Sequence, residues 1–265
     1  MIGNTRNREL TLLRTHLKYL SKCKYILWRL GWTRPEIWVA LKSSNVKIAL
    51  RRGTHDAHIA REVFAEGQYN FANLKKRAES VRCIIDVGAN VGYSIVYFAM
   101  NFPLADIYAY EPIPEHLEQI RKHIEENGLA NRVHISPCAA GAESRQSWMF
   151  LDGAGSCLLD NKNDNAQEIR VVDWYQTLPG GEIELIKMDI EGAEVELLRD
   201  SRFLRLADRT NMIALEWHAA ANVSQPREWC IARLQESGFA VEEGCVQYEI
   251  AGTLVGTKKQ TVIRN

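Results

Sequence analysis

The chain has 265 residues, 46% of them apolar and 25% charged, with 33 Lys/Arg against 33 Asp/Glu. No apolar run approaches the ~20 residues that a bilayer span needs, and six scattered cysteines with no Cys-x-x-Cys pair indicate neither a zinc site nor a disulfide framework. Those totals fit one large α/β domain with an extension, or two small domains, in a reducing, cytoplasmic setting.

The zero net charge conceals an asymmetry. Residues 1–52 carry twelve Lys/Arg against Glu9 and Glu36, a net +10, so the remainder carries −10. A basic arm on an acidic body suits peripheral contact with a membrane surface or another anionic partner, or docking on the chain's own acidic domain. No uninterrupted apolar core marks a signal peptide.

In chain order, Leu10, Leu13, Leu17, Leu20, Ile26, Leu27 and Leu30 form an amphipathic helical stripe over residues 8–30, ended by Gly31 and Pro35. Trp28, Trp32 and Trp38 are expected to pack a small core. Ile37–Leu41 and Val46–Leu50 flank Ser43-Ser44-Asn45 as a β-hairpin. A helix follows to about Glu66, with Thr54 or Asp56 as its N-cap. Asp56 and Tyr69 lie just before the core domain, where a lid over a cofactor would arise. A short helix at 71–80 completes an N-terminal cap of residues 1–80, and the main domain is residues 81–265.

From Arg82 onward strands are expected near 83–87, 106–110, 133–137, 184–189 and 211–217. Helices lie between them near 92–101, 114–127, 192–200 and 227–237. That alternation predicts a Rossmann-like α/β parallel sheet with helices on both faces. Residues 139–181 interrupt it with strands and a polar loop at the ligand-facing edge. Residues 240–258 predict a closing hairpin.

The first informative stretch is Cys83–Ile95. A buried strand, a glycine turn and a helix form half of a nucleotide-binding unit. A dinucleotide loop would run G-x-G-x-x-G, whereas here Asn90 stands where the second glycine belongs, between Gly88 and Gly92. The loop suits a ligand without a pyrophosphate. Glu111 ends the next strand, placed to accept both hydroxyls of a ribose. Loop and acid together predict S-adenosyl-L-methionine, with Asp86, Gly88, Ala89, Asn90, Gly92, Tyr93 and Glu111 as binding candidates.

The second and third stretches are Leu185–Glu194 and Met212–His218. Asp189, Glu191 and Glu194 crowd one strand-to-helix turn, although Glu191 and Glu194 also suit a helix dipole. Glu216 and His218 share a strand face, and adjacent parallel strands would bring them to Asp189. An aliphatic hydroxyl must lose its proton as it is methylated, which calls for a base or a metal. His218 is the candidate base, oriented by Glu216 or Asp189, with Glu191 beside it. Alternatively Asp189 and Glu216 bind Mg²⁺, with His218 hydrogen-bonded behind the ligands or as a third ligand; a third option makes His218 a hydrogen-bonded strand-end residue.

Together Ile85–Gly92, Tyr110-Glu-Pro112, Glu126-Asn-Gly-Leu129, Ile186–Glu194 and Leu215-Glu-Trp-His218 resemble the FkbM-type methyltransferases, from about residue 46 to about 220. The resemblance implies a class I fold with seven strands and S-adenosylmethionine as methyl donor. It also implies O-methylation of a hydroxyl on a sugar, glycan or other secondary metabolite. The rivals are an NAD(P)-dependent oxidoreductase, opposed by Asn90, and a non-catalytic S-adenosylmethionine-binding module, which leaves the strand-end cluster without a purpose. Basic and aromatic residues form no nucleic-acid module.

Overall fold

The β-branched segment Cys83–Val87 forms strand β3, and every residue of it is buried. Ile84 packs into one core while Cys83, Ile85 and Val87 pack into another, so this strand lies between two helical layers. In this computed structural model the structure describes residues 16–42, 44–150, 157–159, 166–219, 223–247 and 251–259.

Seven strands form the main sheet: β3, Asp106–Tyr110 (β4), Val133–Ser136 (β5), Leu185–Met188 (β10), Met212–His218 (β11), Phe239–Gln247 (β12) and Ala251–Lys258 (β13). Their order is β12-β13-β11-β10-β3-β4-β5. The five central strands run parallel, while β13 is antiparallel to both β11 and β12. This is the class I arrangement that the resemblance implied. The chain winds from β3 out to β5 and then returns to the other side of β3 as β10. Strand order therefore reverses between β3 and β10, where open α/β sheets leave a crevice for ligands.

The hairpin Glu36–Ala40 (β1) and Lys47–Arg51 (β2) forms as the sequence predicts. The helix before it spans Tyr19–Arg29 (α1) and buries Tyr25 and Trp28 against the hairpin side. Residues 8–15 of the expected longer helix lie outside the described residues. Trp28 joins the core and donates from Nε1 to the Pro35 carbonyl at 2.9 Å, but Trp32 is 75% exposed and packs in no core. The strand Arg145–Phe150 (β7) belongs to a separate four-stranded sheet with Ala139–Gly141 (β6), Cys157–Leu159 (β8) and Ala166–Asp173 (β9). Sequence periodicity predicted strands there but not their pairing. It also missed the helix Arg202–Asp208, which buries Phe203, Leu206 and Ala207.

The hairpin is fastened to the ligand-binding side by His123. That ring is buried, accepts the Ala49 N–H at Nε2 (2.9 Å) and donates from Nδ1 to the Val91 carbonyl (2.9 Å). Burial pulls its pKa down to about 4, so it is neutral and can play both parts at once. Tyr93 adds a hydroxyl donated to the Ala49 carbonyl. Cap and sheet thus share one continuous core.

Candidate active site

Gly88 follows β3 at φ +83, and a Cβ placed on it would lie 1.9 Å from the Asp189 carbonyl oxygen. Only glycine lets β3 and β10 close up at their ends this tightly. Two non-glycine residues hold the left-handed region among the described residues, Asn90 (φ +49) and Glu191 (φ +55). Such conformations cost roughly 1–2 kcal/mol each and gather where a site demands a particular backbone. Here both line the same two cavities at the strand ends.

Glu111 secures the loop. One carboxylate oxygen accepts the Asn90 N–H at 2.8 Å, and the other accepts the Ile113 N–H at 3.0 Å and meets His116 Nδ1 at 3.1 Å. It lines an open cavity with Tyr110, Ile113, Cys138, Ala140 and Met149. A second cavity opens on the other side, lined by Tyr69, Lys187, Glu216 and His218, with His58 and Glu62 from the cap. Gly88, Asn90, Asp189 and Glu191 line both cavities. They form the wall between two compartments.

The strand-end acids do converge. Ligand atoms of Asp189, Glu216 and His218 all lie within 4.8 Å of one another. His218 Nε2 lies 3.4 Å from Glu191 and 4.0 Å from Asp189. Its Nδ1 is held by Glu194, at 3.0 Å, rather than by Glu216 or Asp189. Glu194 is only 1% exposed and also accepts the Ile190 and Gly192 N–H groups at 2.9 and 2.8 Å. It shapes the turn and orients the imidazole together. As an acid in a helical first turn it is indistinguishable by sequence from an ordinary dipole partner. Its reach back to the turn amides is the one local signal.

Lys187 was not anticipated either. It is 4% exposed and lies 3.4 Å from Asp86 and 3.5 Å from Asp189, donating to the Gly88 carbonyl. Burial works against its charge, but the carboxylates around it outweigh that and raise its pKa. Asp86 is completely buried beneath the loop, bonded by the Ser94 hydroxyl at 2.5 Å, and lines neither cavity. Asp56 also lies away from both, its carboxylate taken by the backbone and guanidinium of Arg51 at 2.9 Å. Nor does it cap its helix: the N-cap is His55, and the Thr54 hydroxyl accepts the Asp56 N–H at 3.2 Å. Tyr69, Tyr93 and Ala89 line the second cavity; Gly92 lines neither, its φ of +88 setting the start of the next helix.

Burial and neighbouring charge perturb Glu216, Glu191 and His218. Burial raises Glu216 to about 8, with Asp189 adding to it. Burial likewise raises Glu191 to about 7, against the opposing pull of His218. Burial disfavours the imidazolium, yet the Glu194 bond and the charges of Asp189 and Glu191 overcome it and lift His218 to about 9. Five carboxyl groups, Asp86, Asp189, Glu191, Glu194 and Glu216, surround two cations, Lys187 and His218. The site is short of positive charge.

A family profile described as the methyltransferase FkbM domain matches residues 86–239. "Methyltransferase sdnD" of Sordaria araneosa is 25% identical over 221 residues, spanning 69% of this chain and 82% of that protein. "Methyltransferase 1" of Beauveria bassiana (strain ARSEF 2860) is 22% identical over 167 residues, spanning 53% and 65%. Among solved structures, the METTL16 MTase domain matches with a TM-score of 0.50 at 10% identity, covering 91% of this chain and 79% of that one. That likeness bears on the fold.

Proposed function

Because this chain belongs to the FkbM methyltransferase family, we propose that it moves a methyl group from S-adenosylmethionine to a hydroxyl of a sugar, glycan or other secondary metabolite. The observation that carries this is that Gly88, Asn90, Asp189 and Glu191 border both the cavity holding Glu111 and the one holding an imidazole. Donor and acceptor bound in these adjoining cavities would meet along that border, and such positioning supplies much of the rate when the donor is already activated.

The residues fit the donor. Glu111 would hold the ribose, Gly88 and Asn90 the methionine end, and the acid-rich wall favours a cationic sulfonium. When bound, S-adenosylmethionine supplies an electrophilic methyl carbon, and its C–S bond pair stays on sulfur to leave a neutral thioether. The acceptor oxygen forms the new C–O bond and its proton passes to Nε2 of His218. Glu194 keeps Nδ1 occupied, so Nε2, beside Asp189 and Glu191, is the nitrogen that would take the proton. His218 is an acid at pH 7 in the free site, and positive charge arriving beside Asp189 and Glu191 lowers its pKa toward a working base.

A second arrangement has its own support in the convergence of Asp189, Glu216 and His218. The two carboxylates offer the hard oxygen ligands that suit Mg²⁺, with His218 beside them, and the ion would polarise the acceptor oxygen as a Lewis acid. Turnover that is indifferent to EDTA removes this arrangement.

Calorimetric titration with S-adenosylhomocysteine and, separately, NAD⁺ tests the donor. Micromolar binding of the former, roughly −8 kcal/mol, is expected, with no heat from NAD⁺. Binding of NAD⁺ alone would reverse the assignment of the Asn90 loop. Screening hydroxylated acceptors for consumption of S-adenosylmethionine then tests the O-directed step.

A further inference from the structure

Packing needs one apolar face on α1, and the helix has two. Tyr25 and Trp28 are buried toward the hairpin. On the opposite side Tyr19 and Leu20 are 79% and 81% exposed, Leu30 is 57% exposed, and Ile26, Leu27 and Cys23 are exposed between them. At about 100° per residue these six positions fall within an arc of roughly 120°. Lys22 and Arg29 border one edge of that arc and Lys24 the other. Trp32, 75% exposed, stands just past the Gly31 turn. Six of the eight large apolar side chains exposed among the described residues lie between residues 19 and 32, so the pattern is a patch rather than scatter.

The charge around the patch identifies its partner. Residues 16–35 hold Lys18, Lys22, Lys24, Arg29 and Arg34 and no Asp or Glu. Protein interfaces deplete lysine from their cores, whereas lipid interfaces favour lysine and arginine beside an apolar stripe with tryptophan at the headgroup level. A helix of 11 residues is about 16 Å long, too short to cross a bilayer. Among the described residues no helix is long and apolar enough to do so.

We propose that α1 is a membrane-docking helix that lies in the headgroup plane of an anionic bilayer, with Tyr19, Leu20, Ile26, Leu27 and Leu30 against the acyl boundary. The hairpin that carries the helix continues through Arg51 into the segment holding His58 and Glu62, which line the acceptor-side cavity. Docking there puts that cavity on an element attached to the lipid surface, where a lipid-linked hydroxyl would be supplied.

The test is flotation of the full chain with phosphatidylcholine vesicles, with and without phosphatidylserine. The protein is expected to float with the anionic vesicles and to stay down with the neutral ones. Lys22→Gln with Lys24→Gln should weaken binding about fivefold per charge. Leu20→Ser with Leu27→Ser should abolish flotation although every charge remains. Unchanged melting temperatures would show that both variants fold. Failure of the wild-type chain to float overturns the proposal, and so does flotation by both double variants at the wild-type level. A dimer in sedimentation that the serine variant dissolves, with no vesicle binding, would assign the face to a second copy instead.

Discussion

Glu194→Gln is the sharpest probe of the proposed base. The carboxylate is 1% exposed and bonded to His218 Nδ1 at 3.0 Å. A hydrogen bond between charged partners is worth roughly 1.5–3 kcal/mol, and each 1.36 kcal/mol corresponds to one pH unit. The neutral amide should therefore lower the His218 pKa from about 9 by roughly one to two pH units. For methyl transfer from labelled S-adenosylmethionine, kcat/KM of the wild type should rise with pH through about 9, because only the deprotonated imidazole accepts the proton. In the variant that rise should move down to about 7–8, while the high-pH plateau falls roughly 10²-fold as the ring loses its orientation. The glutamine carbonyl can still accept one of the two turn amides, so affinity for S-adenosylhomocysteine should hold within a few-fold. A variant whose pH profile keeps the wild-type midpoint and plateau would refute the Glu194–His218 pair. Loss of S-adenosylhomocysteine binding along with activity would mean that Glu194 serves the turn alone.

Four further outcomes are expected. Native Glu191, Glu216 and His218 all retain protons above their ordinary values. The folded state therefore binds more protons than the unfolded one, and the ligand-free melting temperature should fall as pH rises from about 6.5 through 9. Glu216→Gln should flatten that fall, and a melting temperature that climbs over the range would contradict the charge assignment. Gly88→Ala adds a Cβ at 1.9 Å from a backbone oxygen and should cost several kcal/mol in denaturation and abolish ligand binding, whereas Gly128→Ala, with nothing within 4 Å, should cost roughly 1 kcal/mol. Equal effects would show that the crevice does not depend on this contact. Glu111→Ala strands the Asn90 and Ile113 N–H groups and should weaken S-adenosylhomocysteine by tenfold or more in calorimetry, with unchanged affinity counting against its role. Finally, affinity for the cationic donor relative to its neutral thioether product should increase between pH 6.5 and 9, as the wall loses protons; a pH-independent ratio would remove the electrostatic argument for donor binding.

The sheet was legible because its strands carry period-breaking signals at both ends. Cys83–Val87 is a β-branched run stopped by Gly88, and Leu185–Met188 is an apolar run stopped by Asp189. Expected and observed edges of the five parallel strands and the four helices that follow them differ by at most two residues. The helix Arg202–Asp208 escaped because seven residues make barely two turns, too few for a helical period to stand out. The four-stranded side sheet escaped for a different reason. Pairing β6 with β9, then β9 with β7, depends on contacts between residues 16 to 32 positions apart, which no local pattern encodes.

Within the site, sequence places backbone better than it places protons. Gly88, Asn90, Glu111, Asp189, Glu216 and His218 were identifiable because glycine turns and strand-end acids sit at fixed offsets from strands. Asp56 and Asp86 look just as available on paper, and burial alone separates them. One is satisfied by Arg51 and the other lies under the loop beside Lys187. Glu194 shows the converse, an acid with a local explanation that nonetheless bonds the imidazole 24 residues away. The balance of five carboxyl groups against two cations emerges only when three strand ends meet, because each acid taken singly has an ordinary solvated alternative. That balance also gives the donor its purpose beyond delivering carbon. In the proposed reaction a sulfonium would bring positive charge to the wall where it is short, and its loss as a thioether on transfer would return the deficit. Product release and retention of the acceptor's proton on His218 are then favoured by the same electrostatics that drew the donor in.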